Sequence, residues 1–197
     1  MITHATTDAE RREVQALFES VFSDIDEFAV PPTSSDHMYA PLVLRYHDPD
    51  TSALAGAALA CRAQVAATAM LAGGRLPGNR DYRTVLDKHR ELDLMCVAPA
   101  FRDRGIGGAL LTAMREELAA QGVRVWFGNA IDGYDLDGLR RFYTRHGFTV
   151  LADGEPLPPL LGKDWTMPTV VAPAPRFYFY QRLTGSAGQA LESHPAA

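Results

Sequence analysis

The stretch Val97–Leu111 reads VAPAFRDRGIGGALL and joins an apolar strand to a helix through a proline, two arginines and a glycine cluster. A helix N-terminus offers free backbone N–H groups and a partial positive charge, which together bind anions. The glycines remove side chains that would hold a phosphate at a distance, and Arg102 and Arg104 add positive charge. The segment therefore predicts either a pyrophosphate site or a glycine-rich helix start with no ligand.

The two commonest nucleotide-binding loops do not match this stretch. Gly105-x-Gly107 is followed by Leu110 at the position where the dinucleotide-binding fingerprint needs its third glycine. The phosphate loop of nucleoside triphosphatases ends in Gly-Lys-Ser/Thr, and no lysine lies near. The flanking arginines nevertheless favour an anion over an empty turn.

Length and composition indicate a single domain over residues 1–183 with a disordered tail over 184–197. The formal net charge of −5 argues against a general nucleic-acid-binding protein. We find neither a signal peptide nor an apolar stretch suited to spanning a bilayer, which predicts a cytoplasmic protein with no membrane partner. Cys61 and Cys96 lack metal-ligand spacing and are expected to be buried thiols, so no metal site is expected.

Hydrophobic periodicity predicts an α/β (α+β) fold around a mixed sheet. Thr7 and Glu10 have the spacing of a capping box at the start of the first helix. The predicted helices cover Asp8–Phe22, Gly105–Gln121 and Asp137–His146. The predicted strands cover Pro41–Tyr46, Leu54–Val65, Glu91–Val97, Val123–Phe127, Phe148–Leu151 and Arg176–Leu183.

Two motifs resemble the GNAT superfamily of acetyltransferases. Arg102-Asp-Arg-Gly-Ile-Gly107, after Val97-Ala-Pro99 and before an apolar helix, resembles motif A of that superfamily. Arg141-Phe-Tyr-Thr-Arg-His-Gly-Phe148 resembles its F-Y-x-x-x-G-F helix end. Both occur in the family's order with the intervening strand present.

The resemblance implies a mixed, mostly antiparallel twisted sheet flanked by helices, with a V-shaped splay between the two central strands. It also implies acetyl-CoA as co-substrate, with backbone groups of Cys96 and Val97 pairing with the pantetheine arm. The pyrophosphate would be held by the amides of Arg102, Asp103, Arg104, Gly105, Ile106, Gly107 and Gly108.

The implied activity is transfer of the acetyl group of acetyl-CoA to a primary amine by direct attack in a ternary complex. The alternative is a non-catalytic acyl-CoA-binding module of the same fold. The implied partners are acetyl-CoA and an amine-bearing acceptor, and a homodimer is left open.

Two carboxylates and a tyrosine are the candidate catalytic groups. Strict alternation would place Glu91, Asp93 and Met95 on one face of their strand, where a carboxylate can act as general base or pair with an arginine. Glu91 is the preferred base because the resembled family often carries a glutamate on this strand. Tyr143 lies at the motif position that places a tyrosine near the CoA sulfur, and core packing is its alternative role.

Other positions are less constrained by the sequence. Leu136 stands seven residues before Tyr143, where the family often has an asparagine, and this leaves a contribution from Asn129 open. His146 is predicted to act as a cation at the end of its helix. Candidate acceptor-binding segments are Asp36–Tyr39, Gly73–Tyr82 and the long segment Asp153–Pro175, which we expect to form a lid. Tyr178 and Tyr180 alternate with Phe177 and Phe179, so we expect one of these pairs to face the core and the other to face the slot.

Overall fold

The computed structural model describes residues 1–63, 86–131, 135–158 and 176–184. In this part of the chain the helices are α1 (Asp8–Val21), α2 (Asp36–Tyr39), α3 (Ile106–Ala120) and α4 (Leu136–Arg145). The strands are β1 (Ile2–His4), β2 (Leu42–His47), β3 (Leu54–Cys61), β4 (His89–Val97), β5 (Val125–Ala130), β6 (Thr149–Val150) and β7 (Phe177–Arg182). Within the described residues the predicted helices and strands are thus confirmed, with ends displaced by a few residues, and the end of the predicted strand Leu54–Val65 lies outside them.

The seven strands form one sheet in the order β1-β2-β3-β4-β5-β7-β6. Every neighbouring pair is antiparallel except β4 and β5, which are parallel. Helices α3 and α4 pack on one face of the sheet, and α1 packs on the other. The expected mixed, mostly antiparallel sheet flanked by helices is confirmed.

Strand β3 lies between two helices because its side chains are small. Ala58 and Ala60 pack in the cluster that contains α3, whereas Ala57 and Leu59 pack in the cluster that contains α1. All four are fully buried, so both faces of the strand contribute to the core. A strand covered on both faces loses the polar alternation of a half-exposed strand, which explains its alanine-rich sequence.

The helix ends follow the local signals in the sequence. Thr7 and Glu10 form the predicted capping box at the start of α1. The side chain of Asp135 accepts a hydrogen bond from the Gly138 amide and caps α4. Gly122 adopts a φ of 77° just after α3, the left-handed conformation that ends a helix at glycine.

A β-bulge interrupts β4 at Asp93. Leu94 pairs with Leu59 and Leu92 pairs with Ala60, so that one additional residue of β4 lies between these two pairs. A bulge bends its strand and increases the local twist. The bend falls where β4 leaves β5.

The central strands separate beyond this point. β4 pairs with β5 only from His89–Val125 to Leu92–Gly128. After Leu92 the strand β4 stays paired with β3 as far as Val97, while β5 stays paired with β7 as far as Ala130. The V-shaped splay expected from the resemblance is therefore present.

Candidate active site

The splay opens a cavity of ≈ 720 Å³ between the two central strands. Its walls come from the second half of β4, the end of β5, α4 and the segment that follows α1. The charged and polar lining residues are Ser23, Asp24, Asp93, Arg102, Asn129 and Tyr143. We refer to this cavity as the slot.

The edge of β4 that faces the slot presents backbone groups that the ladder with β3 does not use. The Ala98 amide donates to the Ala55 carbonyl, so Cys96, two residues earlier, also turns its backbone groups toward β3. Met95 and Val97 alternate with it and turn their backbone groups toward the slot. The antiparallel ladder uses the backbone of Cys96, which was predicted to pair with the pantetheine arm, and the backbone groups of β4 that turn toward the slot are those of Met95 and Val97.

Cys96 contributes a buried thiol to the wall of the slot. Its side chain is 7% exposed, and both cysteines are buried as thiols. Burial raises the pKa of Cys96 to about 12, against a smaller opposing effect of Arg102. A thiol in this state is a poor nucleophile, so Cys96 serves as packing.

The turn before α3 presents backbone amides at one end of the slot. Asp103 and Gly105 adopt φ values of 61° and 76°, so two left-handed residues shape the turn. The first bond of the helix runs from the Ala109 amide to the Gly105 carbonyl at 3.0 Å. The amides of Ile106, Gly107 and Gly108 therefore precede the helical ladder and are available to an anion.

The two arginines of the turn have different surroundings. Arg102 is exposed, lines the slot and donates from Nε to the Val97 carbonyl at 3.3 Å. Arg104 lies 3.7 Å from the carboxylate of Asp48 and stacks over the Phe101 ring at 5.2 Å. Arg102 is consequently the better placed of the two to meet an anion in the slot.

The glycines after Gly105 also allow α4 to pack closely against α3. A Cβ on Gly107 would lie 3.3 Å from Phe142, and a Cβ on Gly108 would lie 2.7 Å from the ring of His146. The glycine cluster thus serves helix packing as well as leaving the amides of the turn uncovered.

Met95 does not share a face of β4 with Glu91. Glu91 lies opposite Cys61 and Phe127, while Leu92 lies opposite Ala60, as strict alternation requires. The bulge then shifts the alternation, so that Met95 lies on the face of Leu92 rather than on that of Glu91. The prediction that Met95 shares the face of Glu91 is wrong, because a sequence pattern of period two does not reveal a bulge.

Asp93 lines the slot, and Glu91 is not among the described residues that line it. Glu91 is only 8% exposed. Burial, and then the negative charge of Asp93, raises the pKa of Glu91 to about 8. At neutral pH Glu91 therefore holds a proton, and the carboxylate that meets the slot is that of Asp93.

Tyr143 is the buried residue of α4 and forms part of the slot wall. Its ring stacks on Phe179 with 3.7 Å between centroids, and Phe148 packs edge-on at 5.6 Å. Burial raises the pKa of the phenol above its ordinary value of 10. Tyr143 therefore stays protonated and can donate a hydrogen bond.

Asn129 also lines the slot, although its motif position does not predict this. It lies opposite Tyr178 on β7, and Phe127 lies opposite Tyr180, so these four residues share the face of Glu91. Phe177 and Phe179 point to the other face and are 1% exposed. The feature of the sequence that points to this role is the position of Asn129 near the end of β5, one of the two strands that separate at the splay.

The segment after α1 closes one side of the slot, and the sequence analysis did not select it. Residues 21–25 line the cavity, with Phe22 and Ile25 packed against the α1-side core. Asp24 adds a second carboxylate to the lining. The segment has no motif of its own. It reaches the slot only because the chain turns back over the sheet after α1.

Two further expectations have different outcomes. His146 was expected to be a helix-terminal cation, but burial and the neighbouring Arg145 and Arg115 lower its pKa. This expectation is corrected because two positive charges and partial desolvation disfavour a third charge. The segment Gly73–Tyr82 and most of Asp153–Pro175, with its expected lid, lie outside the described residues.

Comparison with known proteins agrees with this geometry. Residues 62–150 match the family model of the acetyltransferase (GNAT) domain. An acetyltransferase of the GNAT family from Staphylococcus aureus Mu50 has a TM-score of 0.61 at 16% identity, covering 93% of this chain and 100% of that one. A search of curated protein sequences finds no match.

Two other solved structures have the same fold. An aminoglycoside 6'-N-acetyltransferase complexed with coenzyme A has a TM-score of 0.56 at 13% identity, covering 92% of this chain and 96% of that one. The ribosomal-protein-S18-alanine N-acetyltransferase from Escherichia coli has a TM-score of 0.54 at 15% identity, covering 97% and 99%. At these identities the likeness establishes the fold.

The resemblance to GNAT acetyltransferases is thus confirmed: residues 62–150 match the GNAT acetyltransferase domain model, and the fold is that of GNAT structures. The family match and the fold support an acyl-CoA-dependent acetyltransferase. None of the helices in the described residues is long and apolar enough to cross a membrane.

Proposed function

We propose that this protein transfers the acetyl group of acetyl-CoA to a primary amine by direct attack within a ternary complex. The observation that carries the proposal is the separation of β4 from β5 after Leu92, which opens the slot beside Asp93 and Tyr143. One end of the slot has amides and Arg102 for an anion, and its lining has carboxylates for an amine.

The chain's own groups would bind the coenzyme along β4. The amides of Ile106, Gly107 and Gly108, with Arg102, would hold the pyrophosphate at the start of α3. The backbone groups of Met95 and Val97 would hydrogen-bond to the pantetheine arm as an added strand does. The thioester would then lie near the bulge.

The acceptor must attack as a neutral amine, whereas an alkyl ammonium has an ordinary pKa of about 10.4. The Asp93 carboxylate would take the proton, directly or through a water molecule. The amine nitrogen forms a bond to the carbonyl carbon, and the C–S bond of the resulting tetrahedral intermediate breaks. Glu91 is protonated at neutral pH, so Asp93 is the charged one of the two β4 carboxylates.

Tyr143 would stabilise the departing sulfur. Thiols of ordinary pKa, about 8.5, are stronger acids than a phenol whose pKa lies above 10. Full proton transfer from Tyr143 to the thiolate would therefore be uphill. The phenol instead donates a hydrogen bond to the thiolate, which then takes its proton from solvent.

The test is thiol release from acetyl-CoA across a panel of small amines, peptides and aminoglycosides, with mass-spectrometric detection of the acetylated product. Asp93→Asn is expected to lower kcat/KM by about 100-fold, the usual contribution of a general base, without weakening coenzyme binding. Arg102→Glu is expected to weaken coenzyme binding about tenfold or more, because a carboxylate would face the pyrophosphate.

Arg124→Glu is the matched control for charge reversal. Arg124 is exposed and directly precedes β5, at the end of the strand opposite Asn129. We expect coenzyme binding and turnover to be unchanged in this variant. Coenzyme binding without turnover on any amine would instead support the non-catalytic module, and absence of coenzyme binding would contradict both.

A further inference from the structure

The slot is lined from both faces of the sheet. Met95, Leu139 and Tyr143 belong to the core on the side of α3 and α4. Asn129 lies on the opposite face, and the segment after α1 packs on that face as well. The amides proposed for the coenzyme lie at the start of α3. The coenzyme would therefore fill the half of the slot beside α3 and α4, and the acceptor would enter from the side of α1.

The half on the side of α1 carries a carboxylate that the proposed transfer chemistry does not use. Asp24 is exposed and lines the slot, and the Ser23 hydroxyl donates to its carboxylate at 3.3 Å. None of the ion pairs between described residues includes Asp24. Asp93 would take the proton of the reacting amine, so the charge of Asp24 is available to another group of the acceptor.

Within the described part of the chain, the acceptor half of the slot is negative. Arg102 is the only lysine or arginine among the described residues that line the slot, and it lies at the turn before α3. The sequence has no lysine or arginine between Arg12 and Arg45, whereas this stretch also contains Asp26 and Glu27 close to Asp24. An acidic entrance of this kind attracts cations and repels anions.

We infer that Asp24 selects acceptors that carry a second cationic group, so that the substrates are small diamines or polyamines. The inference rests on the proposed function, because it assigns the acceptor of that reaction. A terminal diamine has one amine to react and another of ordinary pKa, about 10.4, which stays protonated near neutral pH. The Asp24 carboxylate would bind this second ammonium. The slot of ≈ 720 Å³ must also hold the pantetheine arm, which favours a small acceptor over a peptide.

The test compares acceptors of equal length that differ only at the far end: diaminobutane with an amine at each end, butylamine and γ-aminobutyrate. We expect kcat/KM to fall in this order in the wild-type protein. Asp24→Asn should lower the ratio of kcat/KM for diaminobutane to that for butylamine about fivefold, the upper end of what an exposed ion pair contributes. Asp24→Lys should lower this ratio further and raise γ-aminobutyrate relative to butylamine. The intrinsic reactivities of the amines cancel when each ratio is compared between proteins.

Asp26→Asn is the matched control, because it makes the same change in the same segment. The Asp26 side chain lines a second cavity, beside Phe28 and Tyr39, and is not among the described residues that line the slot. This variant should keep the wild-type ratios. Ratios unchanged by both Asp24 substitutions, or turnover of peptides alone, would overturn this inference while the proposed transfer stands. If no amine or peptide is acetylated, the proposed function fails, and this inference fails with it.

Discussion

Tyr143 belongs both to the aromatic core and to the wall of the slot. Tyr143→Phe keeps the stacking on Phe179 and removes only the hydroxyl. We expect kcat to fall about 10- to 100-fold, the effect of losing one hydrogen bond to a charged group of roughly 1.5–3 kcal/mol. Coenzyme affinity and the urea-unfolding free energy should stay near the wild-type values. An unchanged kcat would limit Tyr143 to core packing.

Glu91 gives the protein a distinctive pH dependence of stability. Its folded-state pKa of about 8 lies above the ordinary value of 4.5 because the side chain is buried. Between these values the unfolded chain loses the proton and the folded chain keeps it, so this group lowers the unfolding free energy as pH rises. Each pKa unit corresponds to at most about 1.4 kcal/mol.

Glu91→Gln should remove this effect. Urea unfolding at about pH 5 and about pH 8 should show that the wild-type protein loses more stability across this interval than the variant, by roughly 1 kcal/mol or more. Glu116→Gln, on the exposed side of α3, is the control and should follow the wild-type curve. Parallel curves for wild type and Glu91→Gln would show that Glu91 is not buried as a neutral acid.

At the scale of elements, the splay depends on a close approach between β4, β5 and β7. Gly128 forms the last pair with Leu92, and a Cβ there would lie 2.5 Å from Phe179 Cζ and 3.1 Å from the Leu92 carbonyl oxygen. We expect Gly128→Ala to lower the unfolding free energy by roughly 1–3 kcal/mol, as overpacking of a core does.

A double-mutant cycle identifies the cause of that loss. Phe179→Leu makes room at the ring, so adding it to Gly128→Ala should cost less than the sum of the two single changes. Urea unfolding of the four proteins measures the coupling. Strict additivity would show that the Phe179 ring is not what excludes a side chain at Gly128.

The helices and strands can be predicted from residues that are neighbours along the chain, whereas the register of strand pairing cannot. The capping box at Thr7 and the stop at Gly122 depend on contacts within one helical turn, so they are predictable from the sequence. The bulge at Asp93 depends on how β4 aligns with β3, which lies more than 30 residues away. Nothing in the letters ELDLM marks it, and the faces of Glu91 and Met95 are therefore mispredicted.

At the scale of the whole molecule, the segment after α1 is anchored by polar contacts to the helix. Arg11 is 5% exposed and donates to the Pro31 carbonyl at 2.9 Å and to the Asp36 carboxylate at 2.6 Å and 3.1 Å. The Gln15 side chain accepts from the Val30 amide and donates to the Asp26 carbonyl, each at 2.9 Å. These contacts fix to α1 the later part of the segment whose first residues line the slot.

Asp36→Asn should loosen this anchor because the buried guanidinium of Arg11 loses its countercharge. We expect an unfolding free energy lower by about 1–2 kcal/mol, discounted because the Asp36 side chain is 46% exposed. We also expect a higher KM with little change in kcat, measured by thiol release. Glu27→Gln, an exposed change in the same segment, is the control, and equal effects of both would contradict the anchor.

The sequence by itself determined the strand–turn–helix of Val97–Leu111, the second motif ending at Phe148 and the order of elements, because each depends on residues close along the chain. It also predicted that Tyr143 and the amides of the glycine turn belong to one site. Only the tertiary structure decided which carboxylate meets the slot, which backbone groups face it and which loop closes it. Those features depend on strand register and on contacts between distant segments, which no local pattern encodes.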